Sequence, residues 1–406
     1  MKLGIVGLGY IGSVTAAVLA SKEHDVVGLD IDVQRIKNYN KGILPIYEPG
    51  LSDLLKQSVS KIIFTTEFSD LSDCDAVFVC VPTPTVSGKI NLDYVESACK
   101  SIAECSPKAT IIIKSTVIPG TAARIMNLRG VEVISNPEFT REGTAVNDTI
   151  TPDRVVIGSR KNSSYDFMRK VWWFVESPFV ETTNENAELI KYASNAFLAT
   201  KISFINEIAN LCEKIPNADV TTVALGMGLD PRIGKDFLRA GLGFGGSCFP
   251  KDTEALTSFA NDLGERTSIV ESAISVNLER EDRIVSLCKK ALGDDLNGRK
   301  ICVLGLSFKE DTDDLRESKS IKLFNALRAT GASVEAFDPM IKSDRFPYAC
   351  DEAEDCLKDS ELAVISTEWP HFSAILESYN GIVIDARRIV PPSVAKKYLG
   401  VGKYNK

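Results

Sequence analysis

Histidine is nearly absent from this 406-residue sequence, with only His24 and His371 present. Ser–His–Asp and Cys–His catalysis are thereby all but excluded, and proton transfer falls to lysine, carboxylates or water. Basic charge is also short. Against 55 Asp and Glu stand 47 Lys and Arg, a net charge of −8, which offers no footprint for nucleic acid or an anionic membrane surface. No apolar run reaches the roughly 18 residues of a transmembrane helix. The N-terminal segment reads as strand, glycine turn and helix rather than signal peptide, so a cytoplasmic protein is expected. The ten cysteines include no C-x-x-C pair and no Cys/His cluster with zinc-ligand spacing. No metal is expected, and most cysteines should be buried free thiols. His24, just ahead of an apolar run, is expected in a surface turn.

What is present describes an ordinary globular protein, 44% apolar and 25% charged, long enough for two to three domains at roughly 150 residues each. The opening K-L-G-I-V-G-L-G-Y-I-G is an apolar strand running into Gly7, Gly9 and Gly12, followed by the helix-compatible S-V-T-A-A-V-L-A-S. The second strand, D-V-V-G-L-D, ends at Asp30, 18 residues beyond Gly12. Strand, glycine spacing, helix and acid together form a dinucleotide fingerprint, with a helix N-terminus facing the phosphates. Asp30 suits ribose hydroxyls and repels a 2′-phosphate, which favours NAD over NADP.

The runs D-A-V-F-V-C-V, A-T-I-I-I-K-S-T and V-V-I-G alternate with helical segments, the βαβ rhythm of a parallel sheet. From Asn186 to Lys214 apolar residues recur at threes and fours, predicting a long central helix. From about residue 291 the strand–helix alternation resumes and echoes the N-terminal half. K-I-C-V-L-G-L-S-F-K parallels K-L-G-I-V-G-L-G-Y-I, and A-S-V-E-A-F-D parallels H-D-V-V-G-L-D. Gly305 is kept, but Ser307 and Glu310 stand where later fingerprint glycines would fall, so this repeat should bind something other than a dinucleotide. The expected fold is α/β, with two Rossmann-like parallel-sheet domains, 1–185 and 291–406, joined by a central helical domain, 186–290.

Three stretches carry candidate chemistry. In A-G-L-G-F-G-G-S-C-F-P-K-D-T-E-A-L, the glycines would let backbone approach a ligand closely, and Ser247 or Cys248 would cap a helix with Pro250 in its first turn. A cysteine at a helix N-terminus beside Lys251 is favoured as thiolate, the form that acts as nucleophile. Asp252 follows at i+4 on the same helix face. On the long helix Lys191 and Asn195 share a face, either as a functional pair or as a solvated lysine and a helix-surface asparagine. S-N-P-E-F-T-R-E-G-T brings Glu138 and Glu142 near Arg141, either as a site at a strand's carboxyl end or as a charged connection at the sheet edge.

With G-L-G-Y-I-G, P-I-Y-E-P-G-L, V-P-T-P, K-S-T-V, N-P-E-F-x-R-E-G, P-D-R-V-V-I-G, K-Y-A-S-N-A-F-L-A-T-K, G-F-G-G-S-C-F-P-K-D and G-L-S-F-K-E-D-T-D-D-L-R-E-S, the chain resembles the nucleotide-sugar dehydrogenase family almost end to end. The resemblance implies oxidation of a sugar nucleotide's 6-hydroxyl to a carboxylate with reduction of two NAD. UDP-glucose is the expected substrate, with GDP-mannose or a UDP-N-acetylhexosamine as alternatives. It implies Cys248 as the nucleophile that holds the intermediate aldehyde. Lys191, Asn195 and an Asp252-positioned water would assist, with Glu138 and Thr116 positioning water and Glu142 near the reacting carbon. For NAD it implies Ile11, Asp30, Arg35, Thr83, Thr116, Glu142, Lys251 and Arg316, besides Gly7, Gly9 and Gly12. For the sugar nucleotide it implies Phe139, Thr140, Arg141, Glu142, Lys191, Asn195, Phe237, Leu238, Arg239, Ala240, Gly241, Gly245, Lys309 and Arg387. Arg232 would reach in from the neighbouring subunit of a homodimer built on the long helix. Thr140 is a departure, since Leu is more usual there. Two other classes share parts of this pattern. A two-electron β-hydroxyacid dehydrogenase uses a Lys–Asn pair but needs no cysteine. A non-catalytic sugar-nucleotide binder would have lost Cys248, Lys191 or Asp252.

Overall fold

The apolar run at the N-terminus forms β1 (Lys2–Val6), buried on both faces as a central strand of a parallel sheet must be. The computed structural model describes residues 1–86 and 88–404. After β1 come β2 (Asp25–Leu29), β3 (Ile62–Thr65), β4 (Ala76–Val79), a short antiparallel hairpin of β5 (Thr85–Val86) and β6 (Lys89–Ile90), β7 (Thr110–Ile113), β8 (Val133–Ser135), β9 (Val155–Gly158) and β10 (Phe179–Thr182). Eight of these make one sheet in the order β10-β9-β8-β7-β4-β1-β2-β3. The sheet departs from the expected all-parallel form only where β8 meets β9, antiparallel through Ser135 and Gly158. Strand order reverses at β1, between β2 and β4, so the turn after β1 lies at the switch point where such sheets take ligands.

The chain divides into two compact units, Met1–Ser194 and Asn195–Lys406. The division falls inside the helix Asn184–Cys212, which starts two residues before the predicted Asn186 and stops two short of Lys214. In the second unit, β11 (Lys300–Leu304), β12 (Ser333–Phe337), β13 (Ala349–Cys350), β14 (Leu362–Ile365), β15 (Ile382–Asp385) and β16 (Lys397–Gly400) form an all-parallel sheet ordered β13-β12-β11-β14-β15-β16. Its core is a separate apolar cluster around Val303, Phe324, Leu362 and Ile384. Among the described residues no helix is long and apolar enough to cross a membrane.

His24 is buried rather than set in the expected surface turn. Its ring Nε2 lies 3.0 Å from the carbonyl of Val171, and burial holds its pKa below the ordinary value. Cys302 on β11 is disulfide-bonded to Cys356, while Cys74, Cys80, Cys99, Cys212 and Cys288 are buried free thiols.

Candidate active site

The first group of candidate residues grows from the turn after β1. Gly7 has φ +92°, and a Cβ on Gly12 would fall 1.8 Å from the Gly7 carbonyl oxygen, so helix and strand approach this closely only with glycine. A Cβ on Gly9 would meet nothing within 4 Å. Gly9 is also the N-cap of the helix Tyr10–Ser21 and supplies no side-chain cap bond. Open space above uncapped first-turn amides is what a pyrophosphate requires, and these residues fit a dinucleotide. Asp30, just beyond β2, is buried and accepts hydrogen bonds from the Leu8 amide (2.8 Å), the Asp32 amide (2.9 Å) and Arg35 Nη1 (2.8 Å). An ionised carboxylate has about four acceptor positions, so capacity remains for a ribose hydroxyl. Arg35 is aimed at Asp30 because Asp32 caps its helix, accepting from the amides of Gln34 and Arg35. Ile11 packs against the sheet's core, Thr83 is buried, and Thr116 lines a small cavity with Ser115, Glu188 and Lys191.

The loop after β8 supplies the next group. Lys191 is buried, not solvated, and its ammonium donates to Glu138 Oε1 at 2.9 Å. Glu138 Oε2 also accepts from the amide (2.8 Å) and hydroxyl (2.7 Å) of Thr140. Burial opposes ionisation of Glu138, but the lysine and the Thr140 donors outweigh it and hold the carboxyl below its ordinary pKa. Glu138 and Arg141 line one cavity, and Arg141 pairs with Asp148, through Nε at 3.0 Å and Nη2 at 2.7 Å. The Phe139 ring meets two cations, Arg154 at 3.8 Å and Lys191 at 5.4 Å from its centroid. Together with Lys114, Asn136 and Trp172, the loop lines a cavity of about 210 Å³. Sequence reading passed over Lys114 and Arg154, although both stand in quoted motifs, K-S-T-V and P-D-R-V-V-I-G.

The second unit holds the cysteine. Cys248 occupies the N-cap position of the helix Phe249–Asp262, with Pro250 in the first turn, but its side chain caps nothing. It is the exposed cysteine among the described residues, with Ser247 Oγ 3.6 Å from its sulfur. One turn on, the Asp252 amide donates to the Cys248 carbonyl at 2.8 Å. The Asp252 carboxylate is only 1% exposed and is held by Lys251 Nζ at 2.5 Å and Asn195 Nδ2 at 2.6 Å. Lys251 thus ion-pairs with Asp252, and Asn195 is a buried partner rather than a surface side chain.

The glycines before Cys248 pack closely against other parts of the second unit. A Cβ on Gly245 would strike the Glu317 carbonyl oxygen at 2.3 Å, and one on Gly241 the Ala386 carbonyl oxygen at 2.5 Å. Phe237 holds φ +62°, an uncommon conformation for a bulky residue, with its ring edge-on to Phe249. Leu238 and Ala240 are buried, whereas Arg239 reaches Glu368 at 3.3 Å. Arg387 Nε donates to the Ser366 carbonyl at 2.7 Å, and Lys309 Nζ stands 5.9 Å from the Phe308 ring centre. Arg316 forks onto Asp314, and Arg232 onto Asp230, both on the surface.

The turn after β11 has lost the dinucleotide cradle. Asp338, placed after β12 as Asp30 is after β2, is fully buried. It accepts from the Leu306 (2.7 Å), Ser307 (3.0 Å) and Met340 (2.9 Å) amides, Ser307 Oγ (3.1 Å) and Trp369 Nε1 (3.3 Å).

One intact and one closed cradle, with a cysteine-bearing segment between them in sequence, is the pattern three consecutive family descriptions match. The NAD binding domain matches residues 1–175, the central domain 185–279 and the UDP binding domain 302–392. The chain belongs to the UDP-glucose/GDP-mannose dehydrogenase family. A UDP-glucose 6-dehydrogenase of Haloferax volcanii is 39% identical, with 96% of this chain and 97% of that protein covered. One of Rickettsia bellii is 40% identical, with 99% of each covered. Among solved structures, a UDP-glucose dehydrogenase of Pyrobaculum islandicum superposes with TM-score 0.94 at 37% identity, covering 99% of this chain and 98% of that one. A UDP-D-ManNAc dehydrogenase of Pyrococcus horikoshii does so at 0.88 and 29%, covering 99% of each. For a dehydrogenase of this family, Asp30 and the Gly7–Gly12 turn belong to the matched NAD binding domain, and Lys309 and Arg387 to the matched UDP binding domain.

Proposed function

We propose that this protein oxidises UDP-glucose to UDP-glucuronate in two successive two-electron steps, with Cys248 as covalent nucleophile. The observation that carries the reading is the arrangement around Asp252. A buried carboxylate, held by Lys251 and Asn195, sits one helical turn from the exposed cysteine at a helix N-terminus.

NAD, when bound, supplies the hydride acceptor for each oxidation. The Gly7–Gly12 turn, Ile11, Asp30, Arg35, Thr83, Thr116 and Glu142 would hold it, with Lys251 and Arg316 contributing. The chain's own part begins once C6 has lost its first hydride and its hydroxyl proton. The Cys248 thiolate adds to the aldehyde carbon, forming a C–S bond, and the carbonyl oxygen becomes an oxyanion. Lys191 and Asn195 donate hydrogen bonds to that developing charge. Loss of the second hydride leaves a thioester. A water positioned by Asp252, Thr116 or Glu138 then attacks the acyl carbon, the C–S bond breaks, and the carboxylate leaves as the thiolate is restored. The sum consumes one water and two NAD and releases two NADH and three protons.

Phe139 to Glu142, Phe237 to Gly241, Gly245, Lys309 and Arg387 would bind the sugar nucleotide, drawn from all three parts of a division at 185 and 290. A homodimer is supported by the exposed apolar residues Phe197, Phe204 and Leu211. Their seven-residue spacing puts them on one face of the long helix, where a partner would cover them and bring Arg232 to its site. UDP-N-acetylmannosamine is the second substrate reading, favoured by the likeness to the Pyrococcus horikoshii enzyme.

Turnover on UDP-glucose, GDP-mannose and UDP-N-acetylmannosamine, with NADH counted per acid formed, tests the reading. Two NADH per glucuronate is expected. Negligible activity on UDP-glucose beside robust activity on another substrate overturns the substrate, and a ratio of one overturns the four-electron course.

A further inference from the structure

P-I-Y-E-P-G-L is the motif that this chemistry leaves without a task. Its Glu48 is buried. Glu48 Oε2 accepts the Tyr10 hydroxyl and the Gly143 amide (2.8 Å), and Oε1 accepts the Val146 amide (3.4 Å). The Gly143 amide is shared with the Tyr10 hydroxyl oxygen at 3.0 Å.

The three residues come from three distant parts of the chain. Tyr10 opens the dinucleotide helix between Gly9 and Gly12, and its ring packs on the cluster of Val14, Val18, Leu51 and Ala145. Gly143 follows Glu142 directly and bends the chain at φ +85°. The Phe139–Glu142 loop is therefore anchored at one end by Glu138 on Lys191, in its middle by Arg141 on Asp148, and at its far end by Glu48 and Tyr10. The last anchor joins it to the dinucleotide turn.

We infer that Glu48 and Tyr10 are positioning residues that couple the dinucleotide turn to Glu142. This rests on the proposed reading, in which that turn holds NAD and Glu142 lies beside the reacting carbon. The buried carboxylate fixes the hydroxyl, and both fix the Gly143 amide, so a shift of the helix's first turn is passed to Glu142. Without the tie both ligands still bind, but the reacting atoms are misaligned, a loss that falls on kcat.

The variants are Tyr10→Phe, which deletes one hydroxyl, Glu48→Gln, which keeps the shape, and the double variant. Full-length protein is assayed for kcat, for KM with each substrate, for NAD affinity by titration and for thermal midpoint. Expected is a kcat lowered ~10- to 100-fold, NAD affinity and both KM values within about twofold, and a double variant no worse than about twofold below the poorer single one. Should Glu48→Gln fail to fold, Tyr10→Phe alone decides. Folded Tyr10→Phe with wild-type kcat, or losses that multiply in the double variant, overturns the inference while two NADH per acid in the wild type leaves the underlying reading intact. A wild type that forms no acid from any of the three sugar nucleotides overturns that reading itself.

Discussion

The Lys191 ammonium lies 2.9 Å from Oε1 of Glu138, and both side chains are buried. Removing one partner leaves a charge without its counterion in a dry site, a loss of ~3–5 kcal/mol. Lys191→Met should therefore destabilise the fold as well as abolish turnover. Adding Glu138→Gln to it should recover much of the stability and none of the activity. Urea unfolding of the two singles and the double measures this coupling, and additive losses would show that the pair is not the source.

Cys248 makes no cap bond and is exposed, so Cys248→Ser removes little packing. Ligand binding should persist while acid production collapses, because an alkoxide is a poorer trap and its ester hydrolyses slowly. Binding titration paired with product mass analysis checks both halves. Undiminished acid formation would remove the cysteine from the mechanism.

Asp30 serves the protein and the proposed cofactor at once. Asp30→Ala should raise KM for NAD far more than KM for the sugar nucleotide. It should also cost ~1–3 kcal/mol, since the Leu8 amide and the Arg35 guanidinium lose their acceptor. Equal shifts in the two KM values would mean that the ribose contact lies elsewhere.

Glu188 carries a pH signature. Burial pushes its carboxyl up to about 7, against the opposing pull of the Ala122 and Gly120 amides and the Ser135 hydroxyl. A folded-state pKa raised above the unfolded value of 4.5 means that the native state holds a proton the unfolded chain has released. Its contribution is complete below 4.5 and is lost as pH rises toward 7, with a slope of at most about 1.4 kcal/mol per pH unit. The difference in unfolding free energy between wild type and Glu188→Gln should fall over that window. A flat difference from pH 4.5 to 7 would contradict the assignment.

Local pattern carried the fold far. The apolar runs of β1, β2, β7, β11 and β12, and the glycine spacing after β1, declare themselves within short windows, because strand burial and turn geometry depend on neighbouring residues. The partners of the site residues do not. Lys191 finds Glu138 at a separation of 53, Asn195 finds Asp252 at 57, and Gly143 finds Glu48 at 95. Helical spacing placed Lys191 and Asn195 on one face but could not tell a buried face from a solvated one. The glycines before Cys248 were legible as a demand for room. That the crowding atoms belong to Glu317 and Ala386 depends on packing between distant segments of the second unit. His24 was misread for the same reason, since the carbonyl that receives it is 147 residues away.

The crowding of donors around Asp338 has a bearing on redesign. Anyone wishing to graft a second coenzyme pocket onto the later sheet cannot do so by restoring glycine at Ser307 alone. The acid would still be saturated by the Leu306 and Met340 amides and the Trp369 indole. Several internal contacts would have to be surrendered before any guest could compete for that carboxylate, so the two repeats are not interchangeable by a small number of substitutions.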